Sequence, residues 1–148
     1  MKKREIKQVL EALRVVKMPK IEDKGLRNKL IRVHLKLLSD FRKYDEELED
    51  ARVVFLSAYK EDREEVTRLQ DLLQTEQDRA KQMEIAAQIS SYTEYLAAVR
   101  ELNEKAEALG REPVQVEALD LESFVTEFEK QGYDLAVIEQ LYPLFNAN

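Results

Sequence analysis

The side chains best suited to chemistry are a single histidine, His34 in the stretch LIRVHLKLL, and two dense runs of carboxylates. An imidazole relays protons or ligates metals near neutral pH, but either task needs partner groups. His34 has no second histidine and no cysteine to work with, and its sequence neighbours are leucines and a valine. Its expected place is therefore the flank of a packed helix face. The carboxylate runs are Asp45-Glu46-Glu47 with Glu49-Asp50, and Glu61-Asp62 with Glu64-Glu65. Converging in a cleft, such groups bind Mg2+ or share acid and base roles. Here they fall on the polar sides of helical patterns, where solvation is reason enough for charge. Three scattered glycines cannot build a phosphate-cradling loop. The expectation is a protein without catalytic residues, cofactor or metal site, and so not an enzyme.

Basic residues offer a different chemistry, the neutralisation of phosphate. Residues 1–36 hold twelve Lys/Arg against four Asp/Glu, a local +8 within a chain of net charge -6. Lys17, Lys20, Lys24, Arg27, Lys29 and Arg32 form the candidate basic surface. Against nucleic acid stand the low pI of about 5.0 and the lack of interleaved aromatic residues for base stacking. The carboxyl-terminal residues 111–148, with two Lys/Arg and eight Asp/Glu, offer an internal counterpart for the basic end.

The elements that must carry these residues are helical. With 44% hydrophobic and 36% charged residues but only three glycines and three prolines, the 148-residue chain fits one mainly α domain. No apolar run is long enough to span a bilayer, and the basic opening lacks a signal-peptide core, so no membrane association is expected. A first helix covers 3–16, with Ile6, Val9, Leu10, Leu13 and Val16 on one face. Pro19 ends it, and Asp23 caps the next.

That second helix carries a coiled-coil-like stripe from Leu26 through Leu30, Val33, Leu37, Phe41, Tyr44, Leu48, Ala51 and Phe55 to Ala58. Ile31, Leu35 and Leu38 widen the stripe near its start, implying contact with more than one neighbouring element. The chain then reverses, near residue 62 or near residue 76. A returning apolar pattern, with a slip between Ile85 and Ile89, leads to Gly110 as a left-handed helix terminator. Tyr92 and Tyr95 cannot both share the packed face with Leu96, which makes them the candidate interface.

Residues 23–110 thus form a long antiparallel helical hairpin, and residues 1–22 with 111–148 a small head made of both termini. Valines alternate with polar residues in REPVQVEALD, so a two-stranded β-ribbon of about 17–22 with 113–118 is expected to clasp the head. Asp120 caps a helix over about 121–130 that Gly132 ends, and Asp134 caps a last helix before Pro143.

The order of a short first helix, the segment KMPKIEDKGLRNKLIRVHLKLLSDFRKYDEELEDARVVFLSAY, a polar middle and LNEKAEALGREPVQVEALDLESF resembles a family of small bacteriophage and prophage proteins of unknown function. The resemblance implies an accessory protein of the host-cell cytoplasm and brings no catalytic residues. The expected activity is protein–protein interaction, as a homo-oligomer or by binding and blocking a host or virion protein. The alternative is a nucleic-acid- or nucleotide-sequestering protein using the basic amino-terminal third.

Overall fold

Leu26, Leu30, Val33 and Leu37 line one side of a helix that opens at Lys24, and each is at most 6% exposed. The computed structural model that shows this describes residues 1–145. Its helices are α1 (Ile6–Val15), α2 (Lys24–Thr75), α3 (Arg79–Ser90), α4 (Thr93–Arg111), α5 (Leu121–Gln131), α6 (Leu135–Gln140) and α7 (Tyr142–Phe145). Single-turn 3-10 helices precede α1 and α2, at Lys3–Glu5 and Met18–Lys20. The chain divides into two compact units, Met1–Glu46 with the segment from Ala108 onward, and Glu47–Glu107.

The first unit draws its core from both ends of the chain. Ile6, Val9, Leu10, Ala12 and Leu13 of α1 join the α2 residues, Val114, Leu119, Phe124 and Phe128, and Leu141 and Leu144. Burying each large side chain contributes about 1.5–3 kcal/mol, so this cluster dominates the unit's stability. Short helices of 4–11 residues would not persist alone. Local caps fix their starts: Asp120 Oδ2 accepts from Ser123 N–H at 3.1 Å, and Asp134 Oδ1 from Ala136 N–H at 3.2 Å. Gly132, at φ 70°, closes α5 in the left-handed conformation that glycine adopts without strain. The helix that Asp134 caps, α6, ends at Gln140, before Pro143. Pro143 itself sits inside the first turn of a further short helix, α7, where its missing N–H costs no bond.

The expected β-ribbon is absent among the described residues, and the backbone donors explain why. Pro19 has no N–H, and residues 18–20 curl into a 3-10 turn in which Lys20 N–H donates to Lys17 O and Ile21 N–H to Met18 O. Lys17 N–H donates to the Tyr133 hydroxyl at 2.7 Å, and Glu22 and Asp23 N–H donate to Glu127. Hardly a donor remains for a ladder. The segment after α4 pairs instead with the amino terminus, through Lys3 N–H to Glu112 O at 3.0 Å and Val114 N–H to Met1 O at 2.8 Å. The result is one antiparallel bridge, Lys2 with Pro113. The alternation was real all the same: Val114 is buried and Val116 half-buried, between exposed Gln115 and Glu117.

Gly110 also departs from expectation. It lies inside α4 with no positive φ. A Cβ there would approach the Tyr44 hydroxyl to 3.2 Å and Arg4 Cβ to 3.3 Å, so close packing is what favours glycine.

In the second unit, α2 runs on through residue 62 to Thr75, and the reversal occupies 76–78, where Asp78 Oδ1 caps α3 by accepting from Ala80 N–H at 3.0 Å. Gln82 ties the turn by donating to Glu76 O at 2.6 Å. Val66, Leu69 and Ile85 are buried where the chain folds back. The break between α3 and α4 falls at Ser91–Tyr92, slightly past the pattern slip. Tyr59 leaves helical geometry (φ -127°, ψ 28°), kinking α2 where no glycine or proline lies. The kink coincides with an aromatic cluster in which Tyr95 meets Phe55 at 5.8 Å and Tyr59 at 6.2 Å between ring centroids.

Candidate functional site

Two features of the first unit stand out from its packing: a carboxylate buried at the start of α2, and an apolar face of α2 left in solvent. Glu127 on α5 is 4% exposed. Its Oε1 accepts from Asp23 N–H at 3.0 Å and its Oε2 from Glu22 N–H at 3.2 Å. A buried carboxylate is tolerated where hydrogen bonds and positive charge compensate it. The α2 amino terminus supplies part of that charge through its dipole, and Lys130 Nζ lies 3.9 Å away. Lys130 also donates to Glu22 at 3.2 Å, and this bond, reinforced by the charges of Glu22 and Glu127, raises its pKa above the usual lysine value. Asp120 is held below the ordinary carboxylate range by the Ser123 hydroxyl and then the Ser123 N–H. The cluster is structural: it fixes where α2 begins relative to α5.

The exposed face consists of Ile31, Leu35 and Leu38, at 40%, 63% and 41% exposure. The sequence pattern implied a second neighbour for these residues, and no described element of the unit covers them. Leu26, Leu30, Val33 and Leu37 already meet the core, and the three lie about 140° further round the helix at 100° per residue. Leu35 and Leu38, with Ser39, Arg42, Lys43 and Glu46, line a shallow groove. Aliphatic side chains in register on one exposed helix face are what a partner surface reads. The periodicity revealed these residues as apolar, and only the fold reveals them as uncovered.

The candidate basic residues do not assemble into a single surface. Lys17, Lys20, Lys24, Lys29 and Arg32 are exposed, and Arg27 is half-buried. Arg32 Nε donates to both Glu117 oxygens, at 3.0 and 3.3 Å, and Arg27 donates to Ile21 O at 3.4 Å. Lys3 pairs with Glu112. The basic amino end thus meets acidic groups of the carboxyl-terminal segment, the internal pairing open to it from the sequence. At 100° per residue Arg32 lies about 80° and Lys29 about 140° round α2 from Lys24.

Of the two candidate interface tyrosines, Tyr95 is 9% exposed and belongs to the aromatic cluster of the second unit. It is core, while Tyr92 is half-buried. His34 is half-buried on the flank of α2. In the acidic runs, residues 45–47, 49 and 50 are exposed, and Glu65 pairs with Arg68. Among the described residues no group of three or more His, Asp or Glu side chains is placed to hold a metal ion, and no helix is long and apolar enough to cross a membrane.

No family model matches the chain, nor does any curated protein or solved structure.

Proposed function

We propose that this is a non-enzymatic accessory protein, of the kind bacteriophages carry, that acts by protein–protein contact through the exposed face of α2. The carrying observation is the solvent-facing set Ile31, Leu35 and Leu38 on a helix whose opposite side is anchored in a core. A rigid helix presenting anchors at i, i+4 and i+7 binds with little loss of conformational entropy. Self-assembly and the blocking of a host or virion protein are both contacts of this type. Phosphate binding by the basic third draws less support, since Arg32 and Lys3 are turned to carboxylates and the other cations are dispersed.

The test is a photo-reactive amino acid placed at position 35 in the full chain, expressed in bacterial cells. The expected result is a covalent adduct to a protein that disappears when Ile31 and Leu38 are both changed to Glu. An absence of protein adducts, with the chain shown to be folded by circular dichroism, would refute the reading.

A further inference from the structure

We infer that the occupant of this α2 face is a second copy of the same chain, its α2 lying antiparallel with Leu35 at the two-fold axis. The inference rests on the interaction reading above and names its partner. At about 100° per residue, the face holding Ile31, Leu35 and Leu38 also carries Lys24 and Arg27 toward its amino end. Toward its carboxyl end it carries Asp45 and Glu46. Basic, apolar and acidic residues follow one another along a single stripe about 33 Å long, at 1.5 Å per residue, with Arg42 as a cation between Leu38 and Asp45. All of them belong to the first unit.

Such a stripe complements itself when reversed. In a two-fold interface residue i of one copy meets residue j of the other, and j meets i. With Leu35 on the axis, Lys24 faces Glu46 of the second copy, Arg27 faces Asp45, and Ile31 faces Leu38. Arg42, the other cation on the face, meets the neutral Asn28. Each opposite-charge contact occurs twice. Lys24, Asp45 and Glu46 are all exposed, while Arg27 is half-buried and donates one N–H to Ile21 O, so its contact with Asp45 uses the remaining guanidinium donors.

The alternatives fit the same residues less well. Parallel pairing sets Lys24 against Lys24 and Glu46 against Glu46, placing like charges face to face. An anionic lipid surface or a nucleic acid would attract Lys24 and repel Asp45 and Glu46 on the same stripe. Three aliphatic anchors per copy fall short of a standard interface of roughly 800 Å² per partner, so the dimer dissociates at about micromolar concentration or above.

Sedimentation equilibrium of the full chain, combined with charge reversal, tests this directly. The wild type is expected to form a concentration-dependent dimer. Lys24→Glu sets a carboxylate against Glu46 in two places and weakens the dimer about tenfold, whereas Lys24→Glu combined with Glu46→Lys restores the wild-type constant. High salt flattens the differences. A monomer at all concentrations, or a dimer indifferent to both variants, overturns the inference. If the chain is monomeric while the position-35 probe still labels a different protein in cells, self-pairing is wrong and the interaction reading survives. If there is neither dimer nor adduct, both fall.

Discussion

Glu127 and Asp23 lie 104 residues apart in sequence, yet the buried carboxylate of one accepts the backbone N–H of the other at 3.0 Å. With the companion bond from Glu22 N–H, this contact holds α5 against the start of the long helix α2. Two otherwise orphaned donors and one buried charge are satisfied together. Removing the carboxylate leaves both donors unpaired and a void behind it. Glu127→Ala is expected to destabilise the first unit by about 1–3 kcal/mol, measured by urea unfolding. Glu127→Gln keeps one acceptor oxygen and should fall between. Equal stability of all three proteins would show that the bonds contribute nothing net.

Gly110 offers a cleaner test of packing. Alanine in a helix interior is favoured over glycine by about 1 kcal/mol. At position 110 its Cβ would press on the Tyr44 hydroxyl at 3.2 Å. Gly110→Ala is therefore expected to gain less in the wild type than in a Tyr44→Phe background, where the hydroxyl is gone. A double-mutant cycle from thermal unfolding reads the difference. If the two substitutions are additive, the hydroxyl does not limit that site.

Asp120 links the start of α5 to pH. Its pKa is lowered by the Ser123 hydroxyl and N–H, so its ionised form is favoured by folding. The resulting stability is fully present above the ordinary carboxylate range. It drains away as pH falls through the depressed folded value. The thermal midpoints of wild type and Asp120→Ala should differ at neutral pH and converge in acid. A constant gap across that range would mean the charge plays no part in the cap.

These contacts also mark how far the sequence could be read. Asp23, Asp120, Asp134 and Gly132 were legible as helix boundaries, because a cap is a local event within a few residues, whereas the reversal was left open between residues 62 and 76. Glu127 was not legible, since nothing nearby in sequence says that its carboxylate reaches the start of another helix. The valines of REPVQVEALD correctly signalled alternating burial. They misled about pairing because the donors of residues 17–23 are spent on a 3-10 turn, Tyr133 and Glu127. Gly110 looked like a terminator because sequence shows a glycine's freedom and hides its neighbours. Ile31, Leu35 and Leu38 were plainly apolar, but periodicity cannot tell a covered stripe from a bare one.

Pairing of that bare face is most directly tested by a cysteine at its centre. The chain contains no cysteine, so Leu35→Cys introduces one thiol per copy. Antiparallel pairing about residue 35 brings the two thiols together at the axis, within reach of a disulfide. Under mild oxidation Leu35→Cys should convert rapidly to a covalent dimer, while Val54→Cys, at a site 70% exposed on the same helix, remains largely monomeric. Equal, slow oxidation of the two proteins would contradict self-pairing through Ile31, Leu35 and Leu38.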